Sequence, residues 1–99
     1  MILELADLRI DPAKRAEFEA AVRHGLDTVI AKAPGFQKYE LQRCIESDDR
    51  YVMLIHWDTL EDHTVGFRTS PAHAAWRAIV GSYFAKPPSV EHFEICGAS

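Results

Sequence analysis

The chain has 99 residues, of which 47% are hydrophobic and 26% are charged. This length predicts a single domain over residues 1–99, and the composition excludes disordered and collagen-like classes. The net charge of -4 argues against a nucleic-acid partner, because proteins that bind nucleic acids usually carry a basic patch.

The apolar runs and the cysteines predict a cytoplasmic protein that does not enter a membrane. Glu4, Asp7 and Arg9 interrupt the first ten residues, so no secretory signal is expected. The longest apolar run is far shorter than the roughly 20 residues of a membrane-spanning helix. Cys44 and Cys96 have neither CxxC nor metal-type spacing, which favours two reduced, structural thiols.

The first half of the chain reads as strand, helix and strand. A strand over 2–10 is followed by Asp11-Pro12, which predicts a helix cap with a first-turn proline. The apolar stripe of this helix continues to about Lys32, and Pro34-Gly35 stops it. A second strand is predicted over 36–45.

The third predicted strand, 50–57, forms a hairpin with the second strand across a polar turn. Both of its faces are apolar. One face carries Tyr51, Met53, Ile55 and Trp57, and the other carries Val52, Leu54 and His56.

Two short helices and a last strand complete the pattern. Asp58 with Glu61 predicts a capping box for the first short helix. Ser70-Pro71 predicts the cap and first turn of the second, which Gly81 ends. The last strand is predicted over 90–96.

The order β-α-β-β-α-β predicts a ferredoxin-like α+β fold. Its four-stranded antiparallel sheet would have the first and third strands in the centre and the helices on one face. The other face would carry the apolar Val52 and Leu54, whereas a sheet face in water is normally polar. We therefore expect a homodimer in which two copies pack sheet against sheet.

Five side chains are expected to converge over one patch of the sheet and to form the site. They are Trp57, His63, Phe67, Trp76 and Tyr83. His63 and Phe67 share an apolar stripe on the first short helix, and Trp76 and Tyr83 lie on the inward face of the second. Core packing explains the aromatic residues as well, and His63 also fits a buried, hydrogen-bonded histidine.

The remaining histidines do not predict a metal site. His24 is expected on the exposed side of the first helix, and His73 in solvent. His56 and His92 are expected at the dimer interface. A metal site would need a specific convergence of three ligands, which this distribution does not favour.

Three stretches of sequence resemble the antibiotic biosynthesis monooxygenase family, and the likeness covers nearly the whole chain. They are 55–63 (IHWDTLEDH), 67–71 (FRTSP) and 75–77 (AWR). Small quinol-monooxygenase-type members are the most similar. The resemblance implies a dimeric α+β barrel with a cavity between the sheet and the two short helices.

The resemblance also implies a monooxygenase that uses no cofactor and oxidises a quinol or an aromatic, polyketide-like small molecule with O2. Its aromatic slot would be formed by Trp57, Phe67, Trp76 and Tyr83. His63 is expected to be the base, because an imidazole with a pKa near ~6.5 is easily poised at neutral pH. Arg68 would stabilise the phenolate, and Asp7 or Tyr39 would orient the ring if they face the cavity.

Two alternatives stay open at the level of sequence. The same barrel serves as a non-catalytic, small-ligand-binding or stress-related dimer, which is favoured if Trp57, Phe67 and Trp76 close on one another. Haem-degrading relatives have a helical His and a strand Trp, which His63 and Trp57 match. They also use an Asn on the first strand, but this chain has no Asn, and Asp7 is the nearest polar substitute.

Overall fold

The computed structural model describes all residues from Met1 to Ser99. Four strands and two α-helices are joined by single 3₁₀ turns and one π-helical segment. Their bounds are β1 (Ile2–Arg9), α1 (Arg15–Thr28), β2 (Phe36–Arg43), β3 (Arg50–Trp57), the π-helical segment (Asp62–Phe67), α2 (Pro71–Val80) and β4 (Ser89–Glu94).

The sheet has the order β2-β3-β1-β4, and all three strand pairs are antiparallel. Glu4 of β1 lies opposite Ile55 of β3 on one side and opposite His92 of β4 on the other. This arrangement confirms the predicted α+β ferredoxin-like fold, with the first and third strands in the centre.

The core lies between the sheet and the helices, on the face of β3 predicted to be buried. Tyr51, Met53, Ile55 and Trp57 are each at most 3% exposed. Alternate residues of β1 and one stripe of α1 meet them, because strand and helix periodicities place these side chains on one face. These residues are Ala6 and Leu8 from β1 and Phe18, Val22 and Leu26 from α1.

Two predicted helix boundaries are wrong in detail. The first helix is shorter than expected, because Pro12–Lys14 and Ile30–Lys32 form separate 3₁₀ turns at its ends. The capping box is formed by Thr59 and Asp62, whose side chains each accept a hydrogen bond from the other's backbone N–H at 3.2 Å. Asp58 is unavailable for this role because its carboxylate accepts a hydrogen bond from Gln37 of β2 at 2.6 Å.

No helix covers the second face of the sheet. Its central residues are apolar and half-buried, namely Leu3, Leu5, Val52 and Leu54. Phe93 of β4 lies on the same face and is 48% exposed. None of the helices combines the length and the apolar character that crossing a bilayer would require.

Candidate functional site

A cavity of about 520 Å³ opens between the covered face of the sheet, the π-helical segment, α2 and the connection from Phe84 to Pro88. Its apolar walls include Met53, Phe67, Trp76 and Phe84. Its polar side chains are Glu4, His63, Arg68, His73, Arg77 and Lys86. The volume lies within the range of small-molecule sites, about 300–1,000 Å³.

Glu4 is a carboxyl group buried on the sheet wall of this cavity. It is 4% exposed, although it lies on β1 in alternation with the apolar Ala6. The indole Nε1 of Trp57 donates a hydrogen bond to Glu4 Oε1 at 3.0 Å. The same oxygen lies 3.3 Å from Nε2 of His63. The hydrogen bond from Trp57 partly satisfies a polar group that would otherwise be costly to bury.

His63 connects Glu4 to a second histidine. Its Nδ1 lies 2.8 Å from Nε2 of His92, which β4 places directly beside Glu4 in the sheet. The His63 ring also stacks on Trp57, with ring centroids 5.4 Å apart. His63 is therefore hydrogen-bonded to His92 on the half-buried edge strand and lies close to Glu4 on the cavity wall.

The π-helical segment sets the position of His63. The backbone N–H of Arg68 donates to the carbonyl of His63 at 3.1 Å, a bond across five residues that widens the turn. Such turns are rare and frequently occur at functional sites. Here His63 and Phe67 both face inward, and Arg68 follows directly at the cavity.

Gly35 holds the start of this segment against the sheet. Its φ of +85° lies in the left-handed region, which favours glycine. A Cβ on Gly35 would clash with the carboxylate of Asp62, the residue that closes the capping box.

A second glycine positions Trp76. A Cβ on Gly25 of α1 would lie 2.8 Å from the indole ring of Trp76. The missing side chain lets α2 approach α1 closely and brings the Trp76 ring to the cavity wall.

Burial perturbs the two central ionisable groups in opposite directions. It raises the pKa of Glu4 from 4.5 to about 7, and the hydrogen bond from Trp57 and the charge of Arg68 offset only part of this rise. It lowers the pKa of His63 from 6.5 to about 4, and the nearby Arg68, His92 and His73 add to the decrease. At pH 7 His63 is neutral, and Glu4 is divided between acid and carboxylate. Their contact at 3.3 Å is therefore not a permanent ion pair.

The structure brings four of the predicted site residues to the cavity, and a fifth lies directly behind them. His63, Phe67, Arg68 and Trp76 line the cavity. Trp57 is fully buried behind His63.

The other three predicted residues lie elsewhere. Asp7 is on the open face of the sheet, where it pairs with Arg50 at 3.1 Å, because it alternates with the inward-facing residues of β1. The Tyr39 hydroxyl donates to Asp27 of α1 at 2.6 Å. Tyr83 packs on Phe18, with ring centroids 6.0 Å apart, and does not line the cavity.

Sequence analysis missed Glu4 as a site residue and placed His92 and His73 wrongly. A carboxylate alternating with Ala6 and Leu8 on a central strand was a signal that could have identified Glu4. His92 faces the helices because the phase of β4 is fixed by its register with β1. His73 is half-buried and lines the cavity, packing on Phe67.

The residues around His63 do not fit haem ligation. One ring nitrogen faces Glu4 and the other faces His92, so neither lone pair is directed into the cavity. The side chain is only 7% exposed. Asp7, the nearest substitute for the Asn of haem-degrading relatives, is on the opposite face of the sheet.

Comparison with known proteins identifies the family. The family described as antibiotic biosynthesis monooxygenase matches residues 1–79, and the chain belongs to this family. The chain is also 37% identical over 94 residues to the uncharacterized protein YczJ of Bacillus subtilis (strain 168), covering 95% of this chain and 98% of YczJ.

Solved structures share the fold. A Bordetella bronchiseptica protein, provisionally named an antibiotic biosynthesis monooxygenase, superposes with a TM-score of 0.89 at 36% identity over 95% of each chain. SnoaB of Streptomyces nogalater, a cofactor-independent oxygenase, superposes with a TM-score of 0.79 over 98% of this chain and 94% of its own. Its identity is 17%, so this second likeness concerns the fold alone.

Proposed function

We propose that the protein is a cofactor-independent monooxygenase that oxidises a quinol or another electron-rich phenol with O2. The observation that supports this proposal is an open aromatic cavity with a buried carboxyl group, Glu4, on its wall. Trp57 packs on Phe67, with ring centroids 6.0 Å apart, but Trp76 is not part of this stack, so a ring has room to bind beside His63 and Glu4.

The proposed reaction needs no external reductant, because the substrate supplies all the electrons. A phenol loses its O–H proton, and the phenolate ring then reacts with O2. One oxygen atom replaces a ring hydrogen, and the other leaves as water. The substrate gives up four electrons and becomes a quinone, while O2 takes up the same four.

Glu4 is the proton acceptor in this proposal. Its pKa of about 7 keeps a large fraction as carboxylate at neutral pH and lets the group return the proton to the departing oxygen. His63 shares the role of base predicted from the sequence, because its Nε2 lies 3.3 Å from Glu4 and its Nδ1 is hydrogen-bonded to His92. Arg68 would stabilise the developing phenolate, as cations at a water-poor site do.

Oxygen uptake by metal-stripped protein tests this function. A panel of quinols and polycyclic phenols would be compared between wild type and His63→Ala. We expect uptake by wild type and loss of turnover in the variant, because the imidazole proposed to share the role of base with Glu4 is removed. His24→Ala, on the exposed face of α1, is the matched control and should turn over as wild type.

The alternative function, a non-catalytic binding protein, predicts a different result. Ligands would quench the fluorescence of Trp76 at the cavity wall, but no compound of the panel would cause oxygen uptake. Uptake that persists in His63→Ala would instead remove His63 from the mechanism.

We also propose that two copies pack through the open face of the sheet. The apolar Leu5, Val52 and Leu54 in its centre and the exposed Phe93 at its edge support this arrangement. Leu54→Asp should then lower the sedimentation coefficient to that of a monomer. Ala20→Asp, on the exposed side of α1, should leave it unchanged. An unchanged coefficient for Leu54→Asp would contradict the proposed interface.

A further inference from the structure

Three cationic side chains line the cavity without an acidic partner. Arg68, Arg77 and Lys86 all contribute to its wall, and none of them is within 4.0 Å of a carboxylate. Glu4 is the only acidic residue of the lining. The whole chain carries a net charge of -4, so this local excess of positive charge is not a consequence of composition.

Two arginines of the sheet, by contrast, have acidic partners. On the sheet, Arg43 pairs with Glu19 at 3.1 Å and Arg50 pairs with Asp7 at 3.1 Å. The arginines of the cavity have no such partner, and their charge acts on the site itself. Arg77 and Arg68 both add to the burial that lowers the pKa of His73 on the cavity wall.

The cations differ in their effect on the proposed reaction centre. Arg68 contributes to the pKa of both Glu4 and His63. Arg77 contributes to the pKa of His73 but to neither of those, and Lys86 lies in the connection between α2 and β4. Arg77 and Lys86 are therefore the cavity cations that the proposed reaction does not use.

We infer that the ligand of this cavity is an aromatic acid, a quinol or phenol whose carboxylate is bound by Arg77 and Lys86. Guanidinium groups match carboxylates with paired, charge-assisted hydrogen bonds. With its carboxylate held there, the ring packs on Phe67 and Trp76, and its hydroxyl is directed towards Glu4. The carboxylate could not bind beside Glu4, because two like charges would repel one another. The inferred orientation of the hydroxyl towards Glu4 rests on the proposed function. The inferred negative charge of the ligand rests only on the unpaired cations of the cavity.

Binding of a matched pair of compounds tests the inference without turnover. The probes are 1,4-dihydroxy-2-naphthoic acid and its neutral amide, which share a ring system and differ in charge. Binding would be measured under anaerobic conditions by quenching of tryptophan fluorescence. We expect the acid to bind at least about tenfold more tightly, since a hydrogen bond to a charged group contributes a factor of this order. Added salt should reduce the preference.

Two double variants with equal net charge distinguish specific binding of the carboxylate in the cavity from a general effect of the protein's net charge. Arg77→Gln with Lys86→Gln should bring the dissociation constants of acid and amide together. Lys14→Gln with Arg23→Gln removes two exposed cations that do not line the cavity and should leave the preference intact. Equal binding of the two probes to wild type, or a preference that survives the first double variant, would overturn the inference.

The outcome is independent of whether the protein is an oxygenase. A strong preference for the acid with no oxygen uptake would reject the proposed function and support the anionic ligand. Uptake that is as efficient with the amide as with the acid would support the oxygenase and reject the anionic ligand.

Discussion

Tyr51 and Trp57 lie at opposite ends of β3, on the same buried face, and each donates a hydrogen bond to a glutamate. The Tyr51 hydroxyl donates to Glu19 of α1, and the Trp57 indole donates to Glu4 of β1. Both aromatic side chains are at most 1% exposed. The two ends of the strand thus carry the same kind of pair, an aromatic donor with a carboxyl acceptor.

The surroundings of the two glutamates differ. Glu19 is partly exposed and pairs with Arg43, so the hydrogen bond from Tyr51 and the charge of Arg43 lower its pKa in spite of some burial. Glu4 is buried without a paired arginine, and desolvation raises its pKa to about 7. One carboxylate is permanently charged at neutral pH, whereas the other exchanges its proton.

This difference shows that the hydrogen bond alone does not decide what a buried carboxyl group can do. Solvent access and a paired cation make the Glu19 end a structural contact. Desolvation and a neighbouring open cavity make the Glu4 end suitable for proton transfer.

The largest effect is expected from Glu4→Gln. Gln keeps the size of the side chain but cannot accept the phenol proton, so turnover in the oxygen-uptake assay should fall about 10²–10⁴-fold, the usual contribution of general base catalysis. Glu19→Gln makes the same chemical change at the other end of β3 and should leave turnover unchanged. An equal loss of turnover in Glu4→Gln and Glu19→Gln would contradict the proposal that only Glu4 takes part in proton transfer.

The next prediction concerns the free energy of unfolding as a function of pH. Between pH 4.5 and 6.5 the folded pair holds its one proton on Glu4, whereas the unfolded chain holds it on His63. The number of bound protons is the same in both states, so this pair adds no pH dependence in that window.

His63→Gln should reveal the contribution of Glu4. The raised pKa of Glu4 stabilises the fold fully below pH 4.5, and this stabilisation is lost as pH rises through about 7. The variant should therefore lose about 3 kcal/mol of unfolding free energy over this range, as measured by urea midpoints at constant m. Glu19 acts in the opposite sense, because its lowered pKa stabilises the fold above pH 4.5 and this is lost as pH falls. A profile for His63→Gln that does not change when Glu4→Gln is added would show that the pKa of Glu4 is not perturbed.

The smallest effect is expected from Trp57→Phe. The indole N–H lowers the pKa of Glu4, so its loss should raise that pKa further and move the ascending limb of the pH–turnover profile to higher pH. The lost hydrogen bond should cost about 1 kcal/mol of stability. Tyr51→Phe removes the equivalent donor from Glu19 and should leave the limb in place. A shift of the ascending limb in both Trp57→Phe and Tyr51→Phe would indicate a general structural effect and not a change in the pKa of Glu4.

Most of the fold could be predicted from the sequence, because periodicity is a local property. The alternation in β3 identified its buried face, Asp11-Pro12 marked the start of the 3₁₀ turn before α1, and Gly81 marked the end of α2. The capping box was displaced by one residue because Gln37, distant in sequence, engages Asp58. A hydrogen bond between neighbouring strands could not be foreseen from the pattern around residue 58 alone.

The site could be predicted only in part, because its chemistry depends on contacts between distant residues. His63, Phe67, Arg68 and Trp76 were found by helical spacing and resemblance. The partners of His63 come from β1 and β4, and their approach depends on strand register rather than on local sequence. The low pKa of His63 is likewise a result of burial and could not be deduced from its type.

The close approach of Gly25 to Trp76 makes the size of the cavity depend on a residue outside it. Helix α1 contributes no side chain to the cavity lining. Yet any side chain at residue 25 would meet the indole of Trp76 and displace it. Sequence variation on the far helix can therefore change which ligands fit, while every residue that touches the ligand stays the same.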